Sequence, residues 1–432
     1  MSNLLKDASI LLTPTGYDNG SMNAIKPENG DGDFTFSRNS AATRVNAQGL
    51  VENVQILSSN LVSNGDFSQE GAEQVTNGSF SQEGAELVTN GNFATDADWL
   101  LENGAVINNG SVNLLGNNSK FRQTPLISGK SYKLVYEVIS TDGGSFRFQD
   151  GVTAFIDVPQ TIGIHTYYFK ATGNRVQFQA TSAIDARIDN VSVKEVGQDW
   201  TLGGSGSNAA SIGSNSATIT SVDGNSYIQQ NSVLTSGKSY KISYEILSSS
   251  GSSVLKMISS LGLATVPTTV GTHTVYGTAV STTFYIERVS NGMNATITNI
   301  SVKEVGQDWT LGSGWSIGED KAISDGSGFG ALSSSYSNFN SKKLKVNFDI
   351  LNYVSGEIRV PPSYRQDGLD IRYSANGSYE LIYDSINSAF ALNTVNFNGS
   401  VTNISVIEIT DDTNLPRINY EGFSYQDSLG SE

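Results

Sequence analysis

Residues 190–203 read NVSVKEVGQDWTLG, and residues 299–312 read NISVKEVGQDWTLG. The two stretches differ at one position and lie 109 residues apart. A near-identical repeat at this distance indicates that a whole module of about 100 residues was duplicated.

Other pairs, which lie 108 residues apart, support the duplication. SGKSYK at 128–133 returns at 236–241, and GIHT at 163–166 returns as GTHT at 271–274. A more diverged third copy follows, in which SKKLKVNFDIL at 341–351 and NISV at 403–406 take the equivalent places.

The best-matched segment of each module alternates apolar and polar residues. In the first module, Lys133 and Glu137 alternate with apolar residues, and the copies keep this pattern. Alternation of this kind predicts strands with one buried face. The predicted inward-facing residues are Tyr132, Leu134, Tyr136, Val138; Tyr240, Ile242, Tyr244, Ile246; and Leu344, Val346, Phe348, Ile350. The closing strands alternate likewise at Val191/Val193, Ile300/Val302 and Ile404/Val406. The sequence therefore predicts an all-β fold of tandem antiparallel β-sandwich, jelly-roll-like modules.

A shorter repeat precedes the first module. NGDFSQEGAE at 64–73, NGSFSQEGAE at 77–86 and NGNF at 90–93 recur every 13 residues. We expect only the last copy to supply a strand, and the other two to form a duplicated spacer.

The repeats divide the chain into six parts. They are an N-terminal docking segment (1–60), the spacer (61–87), three modules (88–196, 197–305 and 306–409) and a C-terminal segment (410–432). These boundaries predict that residues 197–305 fold alone.

Composition excludes several classes of function. Against 42 Asp and Glu there are 26 Lys and Arg, so the net charge of −16 would repel phosphate backbones and disfavours nucleic-acid binding. No apolar run approaches the roughly 20 residues that span a bilayer, so we expect no membrane insertion. The apolar run near the N-terminus, residues 8–12, is too short for the core of a signal peptide, so we expect none. The absence of Cys excludes disulfides and thiol catalysis.

Two stretches of the chain resemble known families. The order NGNF (90–93), Trp99, SGKSYK (128–133), HTYYF (165–169) and IDNVSV (188–193) resembles carbohydrate-binding modules of the family 4/9 jelly-roll group. The stretch GDFTFSRNSAATRVNAQGLVE (32–52) resembles the opening of a tailed-bacteriophage virion protein family, and NLPRINY (414–420) resembles the segment that follows this opening. The modules thus look inserted between two halves of a virion protein.

We expect no catalytic residues. His165 and His273 are the only histidines, occupy equivalent positions and favour a packing or turn role, without the partners of a catalytic triad. Trp200 and Trp309 could stack on sugars, but their place after a closing strand favours a role in covering the next sandwich. Tyr227 and Phe329 lack a motif, so the glycan-binding residues are unknown.

Related jelly rolls often carry a structural calcium ion held by oxygens of the first and last strands, and no other cofactor is expected. The resemblance places Asp189 in the matching closing segment, where the copies have Thr298 and Thr402. Such a site would be confined to the first module, and an exposed strand Asp is the alternative.

In the opening, Phe34, Phe36, Arg38 and Arg44 are candidate docking residues. The arginines either lie in a solvated turn or pair with acceptors on a neighbouring subunit, since a guanidinium offers a planar fork of donors.

The sequence and the resemblances together favour a non-enzymatic phage virion structural protein, a fibre or a head or tail decoration. Its expected partners are other virion proteins, copies of itself (a trimer is favoured) and host surface glycans, and its expected location is the virion. A secreted bacterial carbohydrate-binding protein and the non-catalytic part of a tail depolymerase are the alternatives.

Overall fold

The computed structural model describes residues 16–18, 20–23, 34–46, 49–151, 155–204, 208–251, 254–288, 292–417 and 424–426. Almost all regular structure in these ranges is antiparallel β-sheet, as predicted. The chain divides into two compact units, one of Met1–Glu70 with Val305–Glu432 and one of Gly71–Glu304. Among the described residues, no helix has the length and apolarity to cross a membrane.

The first described strands are short. They are β1 (Gly16–Asp18), β2 (Ser21–Asn23), β3 (Phe34–Thr35), β4 (Thr43–Val45) and β5 (Val51–Asn53). Each of the next three strands precedes one of the Asn-Gly-x-Phe motifs that begin at residues 64, 77 and 90. They are β6 (Ile56–Asn60), β7 (Glu70–Glu73) and β8 (Glu83–Glu86).

Module 1 is a sandwich of two sheets. Its strands are β9 (Leu100–Glu102), β10 (Val106–Asn108), β11 (Ser111–Leu115), β12 (Lys120–Gln123), β13 (Ser131–Gly143), β14 (Phe146–Gln149), β15 (Gly163–Lys170), β16 (Val176–Ala180) and β17 (Ile184–Val196). The long sheet has the order β10-β11-β17-β13-β15, and the short sheet has the order β14-β16-β12-β9.

Module 2 repeats this arrangement. Its elements are β18 (Thr201–Gly203), β19 (Ala209–Gly213), β20 (Ser216–Ser221), β21 (Ser226–Gln230), β22 (Ser239–Gly251), β23 (Leu255–Met257), α1 (Ile258–Leu261), β24 (Leu263–Val266), β25 (Gly271–Thr278), β26 (Phe284–Arg288) and β27 (Met293–Val305). The long sheet is β19-β20-β27-β22-β25, and the short sheet is β18-β21-β26-β23-β24.

Module 3 joins its two layers through long strands. Its strands are β28 (Trp309–Leu311), β29 (Trp315–Gly318), β30 (Lys321–Asp325), β31 (Ala331–Ser334), β32 (Lys343–Val360), β33 (Ile371–Tyr373), β34 (Gly377–Asp384) and β35 (Ala391–Asp411), with a 3₁₀ turn at Pro362–Tyr364. Because β32 and β35 correspond to two strands each in the other modules, they connect these eight strands, together with β6, into one nine-stranded sheet. The last described strand is β36 (Ser424–Gln426).

The predicted inward faces of the central strands are confirmed. Every residue of the three predicted sets is buried to 1 % exposure or less, and so are Val193, Val302 and Val406. Aromatic and branched aliphatic side chains dominate each core, as the strand alternation predicts.

The structure corrects the interpretation of residues 61–87 as a spacer. Strand β8 pairs with β17 of module 1, β7 with β27 of module 2, and β6 with β35 of module 3. We call the segments 56–67, 70–80 and 83–93 strap 3, strap 2 and strap 1, after the modules they serve. Along the chain, strap 3 comes first, then strap 2 and strap 1, and the modules follow in the order 1, 2 and 3. The sequence of module 1 with its strap is therefore enclosed between strap 2 and module 2, and all of these residues are enclosed between strap 3 and module 3.

Each strap buries one phenylalanine in the module it serves. Phe93 lies in the core of module 1 and Phe80 in the core of module 2, each 1 % exposed. Phe67 contacts Trp309 of module 3 at 5.5 Å between ring centroids. The segment 1–60 therefore ends inside module 3, since strap 3 begins at Ile56.

A glycine allows each strap to approach its closing strand. A Cβ atom on Gly65, Gly78 or Gly91 would lie 1.9 Å from the carbonyl oxygen of Ile404, Ile300 or Val191. The same glycines accept hydrogen bonds from the amides of these three residues. Only glycine fits at this crossing.

Candidate ligand-binding face

The tryptophans are structural in all three modules. Trp99, Trp200 and Trp309 are 5–7 % exposed. Their Nε1 atoms donate hydrogen bonds of 3.0 Å to the carbonyl oxygens of strap residues Asn90, Asn77 and Asn64. The expectation that Trp200 and Trp309 cover the following sandwich is confirmed, and neither ring is open for stacking on a sugar.

The two histidines occupy equivalent positions near the start of strands β15 and β25. Nε2 of His165 lies 2.5 Å from the carbonyl oxygen of Thr161, and Nε2 of His273 lies 2.6 Å from that of Thr269. Each ring packs on a buried tyrosine, Tyr136 or Tyr244, at 5.4 and 5.5 Å between centroids. The predicted packing role is confirmed, and both residues lie on strands instead of in turns.

The outer face of the short sheet carries different side chains in the three modules. In module 1 it consists of two rows of side chains, one from each of β9, β12, β16 and β14. The first row is Leu100, Arg122, Gln177 and Gln149, and the second is Glu102, Lys120, Gln179 and Arg147.

Polar contacts connect most of this face in module 1. Glu102 forms ion pairs with Lys120 at 2.7 Å and Arg122 at 3.0 Å. The hydrogen bond from Lys120, opposed by desolvation and aided by nearby arginines, lowers the pKa of Glu102. Nε2 of Gln177 donates to the side-chain oxygens of Gln149 and Gln179 at 2.5 and 3.0 Å.

Module 2 has tyrosines on the same face. Tyr227 and Tyr285, on β21 and β26, lie 5.7 Å apart in an edge-on arrangement, and both are partly exposed. The Tyr227 ring lies over Gly203, where a Cβ atom would come within 2.0 Å of it. Neither hydroxyl is hydrogen-bonded to another described residue.

Polar groups surround this tyrosine pair. Gln229 and Glu287 are the cross-strand neighbours of Tyr285 and Tyr227. Lys256 lies opposite Glu287 on β23. The face thus combines partly exposed aromatic rings with amide and carboxylate groups, which is the composition of many small-molecule sites.

Module 3 has a charged network instead. Arg372 pairs with Glu357 at 2.6 Å and Asp370 at 2.8 Å, and Arg359 lies 3.4 Å from Asp370. The positive charges of the two arginines are thus offset by the negative charges of the two carboxylates. Phe329, next to β31, is 73 % exposed and stands apart from this network.

The three modules thus keep one framework and change the side chains on this face. At the position of Lys120, module 2 has Tyr227 and module 3 has Ala331, and at the position of Arg122 they have Gln229 and Ser333. Sequence analysis named Tyr227 but not its partner Tyr285. Aligning the sequences of the three modules strand by strand would have revealed Tyr285, because the repeated framework residues show which positions are equivalent.

The candidate docking residues lie in the unit that contains module 3. Phe36 packs against Tyr17 at 6.2 Å, and the Arg38 amide donates to the side-chain oxygen of Asn414. Arg44 pairs with Glu52 across the β4–β5 hairpin at 2.6 Å, and this hydrogen bond lowers the pKa of Glu52. Phe34 belongs to β3, and its side chain lies outside the described part of the structure. Their role in docking stays a prediction.

Asp189 lies on β17 opposite Glu137 and accepts a hydrogen bond of 2.6 Å from the amide of Asn190. In the described ranges, no three His, Asp or Glu side chains are grouped as metal ligands. A calcium site that uses Asp189 with backbone oxygens stays a prediction.

Comparisons with known proteins add only distant structural similarity. No protein-family model and no curated protein match the sequence. The chain is similar to a solved structure of the N-terminal tandem of two CBM22 domains from Paenibacillus barcinonensis Xyn10C, with a TM-score of 0.22 and 10 % identity. The similarity covers 52 % of this chain and 97 % of that one.

Proposed function

We propose that this chain is a non-enzymatic adhesion protein whose β-sandwich modules bind glycans through the outer faces of their short sheets. The observation that carries the proposal is the Tyr227–Tyr285 pair with its polar neighbours. Apolar C–H faces of a sugar pack on aromatic rings, while hydroxyl groups bind to amide and carboxylate oxygens.

A change at the tyrosine pair tests this proposal in the full chain. We expect Tyr227→Ala with Tyr285→Ala to abolish binding to the neutral glycans that the unaltered protein retains on a glycan array. Tyr276→Ala is the matched control, since Tyr276 lies on β25 in the long sheet of the same module. Failure of the chain to bind any glycan, or equal loss with the control, would overturn the proposal.

We further propose that the protein is a virion component, a fibre or a head or tail decoration. The supporting observation is the small cluster of Tyr17, Ala42, Val54, Ile56 and Leu415, in which the virion-like opening meets the virion-like C-terminal segment. Strand β1 also pairs in parallel with β36, and the modules lie between these two regions in sequence. Packing of the virion-like opening against the C-terminal segment fits a docking unit into whose sequence the modules were inserted.

Docking is tested by truncation that leaves strap 3 intact. Removal of residues 1–54 keeps β6, so module 3 retains its strap. We expect the truncated protein to lose its place in purified particles and to sediment as a monomer, whereas the full chain forms a homo-oligomer, with a trimer favoured. Normal incorporation of the truncated protein would contradict the docking role. Cleavage of a bound glycan would favour a tail depolymerase instead.

A further inference from the structure

The short-sheet face of module 1 carries positive charge in an acidic protein. Its two rows contain Lys120, Arg122 and Arg147 but only one carboxylate, Glu102. Arg147 pairs with Asp157 at 2.8 Å, so Lys120 and Arg122 share Glu102 between them. The two rows therefore hold one more cation than the carboxylates that pair with them, in a chain whose net charge is −16.

A cleft lies beside Arg122. It has a volume of about 420 Å³ and is lined by Asp98, Leu100, Arg122, Gln123, Thr124 and Pro125. Leu100 is 50 % exposed and offers an apolar wall. Only Nη2 of Arg122 contacts Glu102, and its other N–H groups have no partner among the described residues. Arg122 therefore keeps donors for a second carboxylate.

We infer that this face of module 1 binds an acidic sugar, with the sugar carboxylate on Arg122 and the ring against Leu100. Lys120 adds positive charge, and Asp98, which lines the cleft, accepts hydrogen bonds from hydroxyl groups. Module 2 has Gln229 and Tyr227 in place of the two cations, so the modules differ in ligand charge. This inference rests on the proposed function, because it names the ligand class of one of the proposed faces.

The test compares one glycan in two charge states. The probes are an oligogalacturonate and its methyl ester, which has the same sugars without the negative charges. We expect the full chain to bind the acid at least about tenfold more tightly than the ester, with a strong dependence on salt. We expect Arg122→Gln to abolish this preference and Arg122→Lys to keep part of it, since Lys lacks the planar fork.

Lys170→Gln is the matched control, because Lys170 is a cation of the same module that lies on β15 in the long sheet, away from the short-sheet face. It should leave the preference unchanged. Equal affinity for acid and ester, or a preference that survives in Arg122→Gln, would overturn the inference. If a neutral glycan still binds through Tyr227 and Tyr285 in that case, the proposed function stands, whereas absence of all glycan binding removes both.

Discussion

Trp200 donates a hydrogen bond from Nε1 to the carbonyl oxygen of Asn77 at 3.0 Å, although 123 positions separate them in the chain. All of module 1 lies between the two residues. This bond recurs between Trp309 and Asn64, whereas Trp99 and Asn90 are only nine positions apart. The sequence distance grows because each further module encloses the previous one.

The buried phenylalanine of strap 2 should stabilise module 2. We expect Phe80→Ala to lower the free energy of unfolding of module 2 by about 3–5 kcal/mol, because a large core side chain is lost. Hydrogen exchange in β22, compared with β13 of module 1, measures the loss where it occurs. Phe329→Ala, at a residue that is 73 % exposed, should change stability by no more than about 0.5 kcal/mol. Equal protection of β22 in the Phe80 variant and the unaltered chain would show that strap 2 does not support module 2.

The strap glycines should tolerate no side chain. We expect Gly78→Ala to destabilise module 2, because the new Cβ atom would lie 1.9 Å from the carbonyl oxygen of Ile300. Gly213→Ala is the control in the same module, since its nearest neighbour would be 3.9 Å away. Urea unfolding measures both variants. Similar midpoints for the two would contradict the close approach of strap and closing strand.

Stability should fall at alkaline pH. Burial raises the pKa of Tyr136, Tyr244 and Tyr383 above the ordinary value of 10.0. The folded state then holds these protons more tightly than the unfolded state, so the contribution is complete below pH 10.0 and is lost as pH rises above it. Urea midpoints measured across this range should be flat and then decrease.

Tyr244→Phe removes the hydroxyl group and keeps the aromatic ring, so it tests the contribution of the hydroxyl group alone. The hydroxyl of Tyr244 donates to the carbonyl oxygen of Pro267 at 2.7 Å. The variant should lose about 1 kcal/mol at neutral pH, as for a typical hydrogen bond, but should show a weaker decrease above pH 10.0. An unchanged alkaline slope would mean that Tyr244 ionises equally well in both states.

The framework of the modules was predictable from the sequence. Strand alternation at Tyr132 and Tyr240 depends on neighbours along the chain, and the repeat offset of about 109 residues supplied an internal check. The local period of a strand fixes which side chains face the core, so those predictions held.

The straps were not predictable by the same reasoning. Each pairs with a closing strand more than 100 residues away, and local periodicity contains no information on such a pairing. The sequence did contain evidence that each module has its own strap, since three copies of the short repeat precede three modules and each copy has a phenylalanine. The binding face was missed for a related reason: Tyr227 and Tyr285 become neighbours only through the pairing of β21 with β26.

The most direct test of the nested architecture compares two fragments of module 2. One consists of residues 197–305, and the other has residues 70–82 joined to 197–305 by two glycines in place of module 1. The short join is feasible because Glu83 lies opposite Val196 in the β8–β17 ladder. Trp200 is the only tryptophan in both, so its fluorescence follows urea unfolding. We expect the fragment with the strap to be more stable by about 3–5 kcal/mol or more, given the burial of Phe80. Equal stability of the two fragments would contradict the account.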